Sequence, residues 1–170
     1  MRVKVFVLLA ILTALIKFEG LGQSLPTKKE QYDFLKWYLK YDKPEKLSDT
    51  LNYLEDNGFA TTDLQGKYGT LSLKLSKQSI KFIGKQLKKN HKINLLDTAG
   101  LSVRDWKTSD GPRVPVSHIS LPVFTANKKI VFIYRAYYCG SLCGSGAVEA
   151  YQIIKGKWER LKLPLPIWIS

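Results

Sequence analysis

The side chains best suited to chemistry are the only two cysteines, Cys139 and Cys143, in the run Tyr137-Tyr138-Cys139-Gly140-Ser141-Leu142-Cys143-Gly144-Ser145-Gly146. Four chemistries suit such a pair. A thioredoxin-type redox site places two residues between its cysteines at a helix N-terminus, where the first thiol becomes acidic. Here three residues intervene, and the flanks read as strands. A zinc site would have to recruit His91 and His118, which lack paired-histidine spacing. A nucleophilic Cys139 would need His118 as its base. A Cys139–Cys143 disulfide needs only an oxidising compartment. Its loop is very small, so its entropic contribution lies at the low end of the roughly 2–4 kcal/mol range. Gly140, Gly144 and Gly146 would supply the positive φ values of so tight a closure.

The N-terminus bears on the compartment. Met1-Arg2-Val3-Lys4 is a short basic region, followed by an apolar stretch from Val5 to Ile16. That stretch is well short of the roughly 20 residues that span a bilayer. Lys17 and Glu19 interrupt it, and Gly20-Leu21-Gly22 gives a small-x-small cleavage pattern before Gln23. Residues 1–22 thus read as a secretory signal peptide, and 23–170 as a single domain. In an exported chain the disulfide becomes the expected state of the two cysteines, with the periplasm or the extracellular space as the address.

The net charge of the whole sequence is +13. Without residues 1–22 the balance is about +11, which favours polyanionic partners: anionic lipid, acidic polysaccharide or an acidic protein. The lysines concentrate in one place. No acidic residue occurs between Asp63 and Asp97, whereas eight lysines occur from Lys67 to Lys92, both included. Ser76 caps a helix from Lys77 to about Asn90, with Ile80, Ile83 and Leu87 on one stripe. Lys77, Lys81, Lys85, Lys88 and Lys89 lie on the other side, a candidate polyanion-binding face. Nucleic acid is an unsuitable partner, because the face lacks the arginines and exposed aromatics that such recognition adds.

The remaining elements frame these residues. Thr27 and Glu30 have capping-box spacing before a helix from Lys28 to about Tyr41. Its apolar arc comprises Tyr32, Phe34, Leu35, Trp37, Tyr38, Leu39 and Tyr41, opposite Lys29, Asp33, Lys36 and Lys40. Lys43-Pro44 ends it. Glu45–Gly69 reads as loop with a short helix or turn near Ser48–Leu54, and Thr70–Leu75 alternates as a strand. The last third is β-rich. Ser117–Thr125 holds Pro122, which marks an edge strand or bulge. Lys129–Cys139 and Ala147–Ile154 follow. Lys155-Gly156 forms a two-residue hairpin turn, and Trp158–Leu163 returns. Ile167–Ser170 adds a short final strand. The fold class is therefore α+β: N-terminal helices packed on a curved antiparallel β-meander. The nuclear-transport-factor-2-like and cystatin-like cones are analogies for such a shape.

Asp97, Asp105 and Asp110 fall in expected loops, and Glu149 and Glu159 on hairpin strands, so no acid–base pair is visible. No glycine-rich phosphate loop, nucleophile elbow or paired-histidine helix occurs, and no metal or cofactor is implied.

His118-Ile119-Ser120-Leu121-Pro122-Val123-Phe124, the Cys-Gly-x-Leu-Cys-Gly-x-Gly run, Gly156-Lys157-Trp158 and Trp168-Ile169-Ser170 together resemble a pattern in small exported bacterial proteins of uncharacterised function. The resemblance covers the C-terminal third. It implies export and a single-domain architecture and brings no activity with it. The functional expectation is an exported non-catalytic binding or structural protein. Two alternatives stand beside it: an immunity-type inhibitor that binds a partner protein, and a small hydrolase with a pocket under the sheet.

Overall fold

The computed structural model describes residues 24–44, 46–54, 59, 73, 75–101, 105–107, 115–140, 143–163 and 167–169. The signal-peptide reading of residues 1–22 lies outside the described residues. So does most of the strand expected at Thr70–Leu75, where Leu73 and Leu75 alone are described, partly buried against the core.

Helix α1 spans Lys28–Asp42. The expected capping box closes its start. The Glu30 N–H donates to the Thr27 hydroxyl, and the Glu30 carboxylate accepts from the Thr27 N–H at 2.8 Å. Lys43 ends it in the left-handed conformation, φ 49°, with its N–H donating to the Leu39 carbonyl. Strand β1 is Lys46–Ser48 and helix α2 is Lys77–Asn90. Then come β2 (Asp105–Lys107), β3 (Val116–Ile119), β4 (Val123–Phe124), β5 (Ile130–Gly140), β6 (Cys143–Ile154), β7 (Lys157–Leu161) and β8 (Ile167–Ile169).

These eight strands form one mixed sheet in the order β2-β1-β3-β5-β6-β7, with β4 added to β5 and β8 to β6. The antiparallel meander is β5-β6-β7, and Lys155 (φ 49°) and Gly156 (φ 78°) make its tight turn. The geometry matches the right-handed twist of the flanking strands, which favours positive φ at both turn residues. The class is α+β; neither cone-shaped analogy is confirmed.

Three local expectations change. Part of the loop expected over Glu45–Gly69 is a strand: β1 runs parallel to both β2 and β3, and Thr50 bridges Leu95, while residues 51–54 are loop ending in a turn at Leu54, as expected. Asp105 begins strand β2 rather than lying in a loop. Ser117–Thr125 is two strands, parted at Ser120–Pro122, and both pair with β5. Proline has no N–H to give a ladder, so the break falls beside Pro122.

The two helices take opposite faces. Val131 and Ile133 of β5 join Phe34, Leu35, Tyr38 and Leu39 of α1 in one core cluster, with Tyr151. Phe132, Tyr134 and Ala136 join Ile80, Ile83 and Leu87 of α2 in the other. The two-residue alternation of a strand produces this division. It explains why β5 is apolar on both sides and therefore reads as a continuous hydrophobic run.

Candidate functional site

The register of β5 and β6 sets the site. Ile133 opposes Glu149, Arg135 opposes Ala147, and Tyr137 opposes Ser145. These residues share the α1 face of the sheet. Helix α1 crosses that face and stops at Asp42, directly at Arg135: the guanidinium Nη1 lies 2.8 Å from the Asp42 carboxylate. Glu149, only 7 % exposed, is held by three donors. The Tyr151 hydroxyl donates at 2.6 Å, the Tyr38 hydroxyl at 3.2 Å, and Arg160 Nη2 lies at 2.9 Å. Two carboxylates and two arginines thus balance in one cluster, as partly buried charges require.

The electrostatics follow from burial. Desolvation, with Glu149 adding to it, pushes the Tyr38 hydroxyl well above its ordinary 10.0. Tyr151 is raised too, by burial first and then by its hydrogen bond to Glu149. Both phenols therefore remain donors. The Asp42 carboxyl is also raised, because burial outweighs the pull of Arg135 and Glu149 adds to the rise.

Beyond Asp42 the α1 face of the sheet is open among the described residues. A cleft of about 450 Å³ lies there, with Arg135, Tyr137, Ser145, Ala147 and Glu149 in its floor and Ile167 and Ile169 of β8 on its rim. A second, of about 400 Å³, adjoins it through Arg135 and Tyr137 and is walled by Asp42, Lys43, Lys46, Pro115 and Ser117. Ile167 and Ile169 are 70 % and 83 % exposed, large values for isoleucine. The site combines a partly exposed guanidinium, a lysine rim and apolar walls.

The cysteines lie at the end of the same hairpin. Cys139 and Cys143 are disulfide-bonded, with Cα atoms 5.1 Å apart. Gly140 alone of the three glycines has a left-handed backbone, φ 150°; Gly144 and Gly146 are not turn residues but lie within β6, opposite Tyr138 and Ala136. His118 sits on β3 opposite Ala136, on the α2 face, and its ring meets Tyr138 edge-on at 5.2 Å. It is remote from the carboxylates by a whole sheet. No group of three or more metal-ligating side chains gathers among the described residues.

The five lysines of α2 are exposed, as their spacing predicts, and Phe82 beside them is buried. They form a surface apart from the cleft, on the other side of the sheet.

Sequence reasoning missed Asp42, Arg135, Glu149 and Arg160 as a group. Arg135 and Glu149 are single charges inside apolar runs that must form central strands. That is the one signal that could have found them, since a buried charge needs a partner of opposite sign.

The chain is thus a mixed-sheet α+β sandwich with a charged end on one sheet face that is open among the described residues. Compared with protein-family models, curated proteins and solved structures, it matches none. No helix among the described residues is long and apolar enough to cross a membrane.

Proposed function

We propose that this is an exported, non-catalytic binding protein whose ligand occupies the open end of the α1 face. The observation that carries the reading is Arg135 in the floor shared by both clefts. A guanidinium has five N–H donors, and the Asp42 contact uses one. A ligand carboxylate would meet Arg135, Lys43 and Lys46, while an apolar portion would lie along Ala147, Ile167 and Ile169. The ligand class is a small amphiphilic carboxylate. Mostly apolar walls with a few fixed polar groups are the usual composition of such sites.

The disulfide supports export, as do the basic and apolar N-terminal sequence and the resemblance of the C-terminal third to exported bacterial proteins. Against hydrolysis stands the state of the polar groups. Asp42 and Glu149 each face an arginine at ion-pair distance, His118 lies across the sheet, and both thiols are bonded. The partner-protein alternative draws on one observation, the exposed isoleucines of β8.

The test is titration with octanoate, and with octanol as the neutral analogue, followed by amide chemical shifts. Shifts at Tyr137, Ser145 and Ala147 with octanoate, much weaker with octanol and abolished in Ala147→Trp, support the reading. Equal binding by Ala147→Trp, or no shift at those amides, overturns it.

A further inference from the structure

Both helices present lysines to the outside, but only α1 carries acidic residues of its own. On α1, Lys28 pairs with Asp97 and Lys29 with Asp33, and nearby Lys128 pairs with Glu30; only Lys36 and Lys40 stand exposed without an ion pair among the described residues. On α2, Lys77, Lys81, Lys85, Lys88 and Lys89 are all exposed, and none forms an ion pair among the described residues. At about 100° per residue, the first four fall within an arc of about 80°. At about 1.5 Å per residue they extend over roughly 17 Å. The opposite side of α2 is fixed to the sheet by Ile80, Ile83 and Leu87, so the lysine row cannot turn inward.

We infer that this row docks the protein peripherally on an anionic phospholipid surface. The choice of lipid rests on residue type and shape. Lysine is a compact point charge without the planar fork that arginine offers to individual carboxylates or phosphates. A straight row of such charges suits a plane of mobile head groups, whose positions adjust to the protein. Polybasic segments of this kind gain attraction from every lysine near the surface. Phe82, the one aromatic residue within α2, is buried in the core, so contact stays at the head groups without insertion by the helix. Because α1 and α2 lie on opposite sheet faces, docking through α2 leaves the cleft at Arg135 directed away from the lipid. The inference is independent of any ligand in that cleft.

The experiment is vesicle co-sedimentation at low and physiological salt. The vesicles are phosphatidylcholine alone or phosphatidylcholine with 30 % phosphatidylglycerol, and heparin retention is measured in parallel. Two variants change net charge equally, Lys81→Glu/Lys85→Glu on α2 and Lys36→Glu/Lys40→Glu on α1. Comparing them cancels any contribution of the N-terminal segment, which all share. Circular dichroism establishes that each is folded. The expected result is binding to the anionic vesicles alone, weakened by salt. The α2 variant should lower the partition coefficient by roughly 10-fold or more, and the α1 variant by about 3-fold at most. Equal losses from both variants would reduce the effect to net charge and overturn the inference. So would absence of phosphatidylglycerol-dependent binding, or heparin retention without vesicle binding, which would assign the row to an acidic polysaccharide.

Discussion

Asp42 and Arg135 form an ion pair, 2.8 Å long, where helix α1 ends and the open sheet face begins. One partner belongs to the helix terminus and the other to the central strand. The pair therefore fixes the end of α1 and the edge of the cleft with one contact. A carboxylate at a helix C-terminus is unfavourable toward the helix dipole, and Arg135 offsets that.

The pair has a pH signature. The Asp42 carboxyl is raised from its ordinary 3.8, with burial as the first cause. The folded state holds this proton more tightly than the unfolded state. As pH rises from the ordinary value through the raised one, the unfolded state releases its proton first and stability falls. Above that window the cost is constant; below it the cost is absent. Asparagine has no such term. The stability advantage of the parent over Asp42→Asn should shrink between pH 3 and pH 6 in urea unfolding. An advantage that grows over that interval would show that the ion pair outweighs burial.

Glu149 accepts from Tyr38 and Tyr151 and pairs with Arg160. Its removal leaves three donors without their acceptor. Glu149→Ala should cost about 3–5 kcal/mol, the usual penalty for breaking a buried charged group's contacts. Tyr151→Phe removes one bond to a charged acceptor, so it should cost about 1.5–3 kcal/mol. Arg160 is more than half exposed and screened by solvent, so Arg160→Ala should cost under about 1 kcal/mol. Chemical denaturation orders the three. An Arg160→Ala loss equal to that of Glu149→Ala would contradict the burial argument.

Much of the frame was legible in the sequence because its signals are local. The Thr27–Glu30 capping box, the Ser76 cap, the apolar stripe Ile80-Ile83-Leu87 and the Lys155-Gly156 turn each depend on residues within one or two turns of chain. What was illegible is what depends on distant pairing. Short β1 and β2 are three residues each, held by parallel neighbours far along the chain. Three residues show no period. The charged cluster joins positions 42, 135, 149 and 160, which only the register of β5, β6 and β7 and the placement of α1 bring together. The glycines after Cys143 misled for a related reason. Glycine allows a turn but does not require one, and ladder pairing draws Gly144 and Gly146 into β6.

Gln86 connects α2 to the sheet. Its amide donates to the Phe124 carbonyl at 2.7 Å, and its side-chain oxygen accepts from the Phe124 N–H at 2.8 Å. The buried side chain thus completes the backbone bonding of β4, a two-residue strand, on the side away from β5. Gln86→Ala would orphan both buried backbone groups. The expected loss is about 2–4 kcal/mol, with faster hydrogen exchange at Phe124. A loss under about 0.5 kcal/mol with unchanged exchange would mean that water replaces the amide freely.

The disulfide closes a loop between residues separated by four positions, Cys139 and Cys143. Chain-entropy reasoning limits its contribution to about 2 kcal/mol, since so short a loop has little freedom to lose. The ladder below it does not depend on the bridge: β5 and β6 pair from Ile130–Gln152 up to Tyr138–Gly144. Cys139→Ser/Cys143→Ser, or the parent with a reducing agent, should therefore lose no more than about 2 kcal/mol in urea unfolding. The amides of Tyr137 and Ser145, one pair further down, should keep their protection. Thiol titration of the denatured, unreduced chain should find no free thiol. Two free thiols would remove the bridge, and a loss well above about 4 kcal/mol would make it a principal support of the domain rather than a clip on its turn.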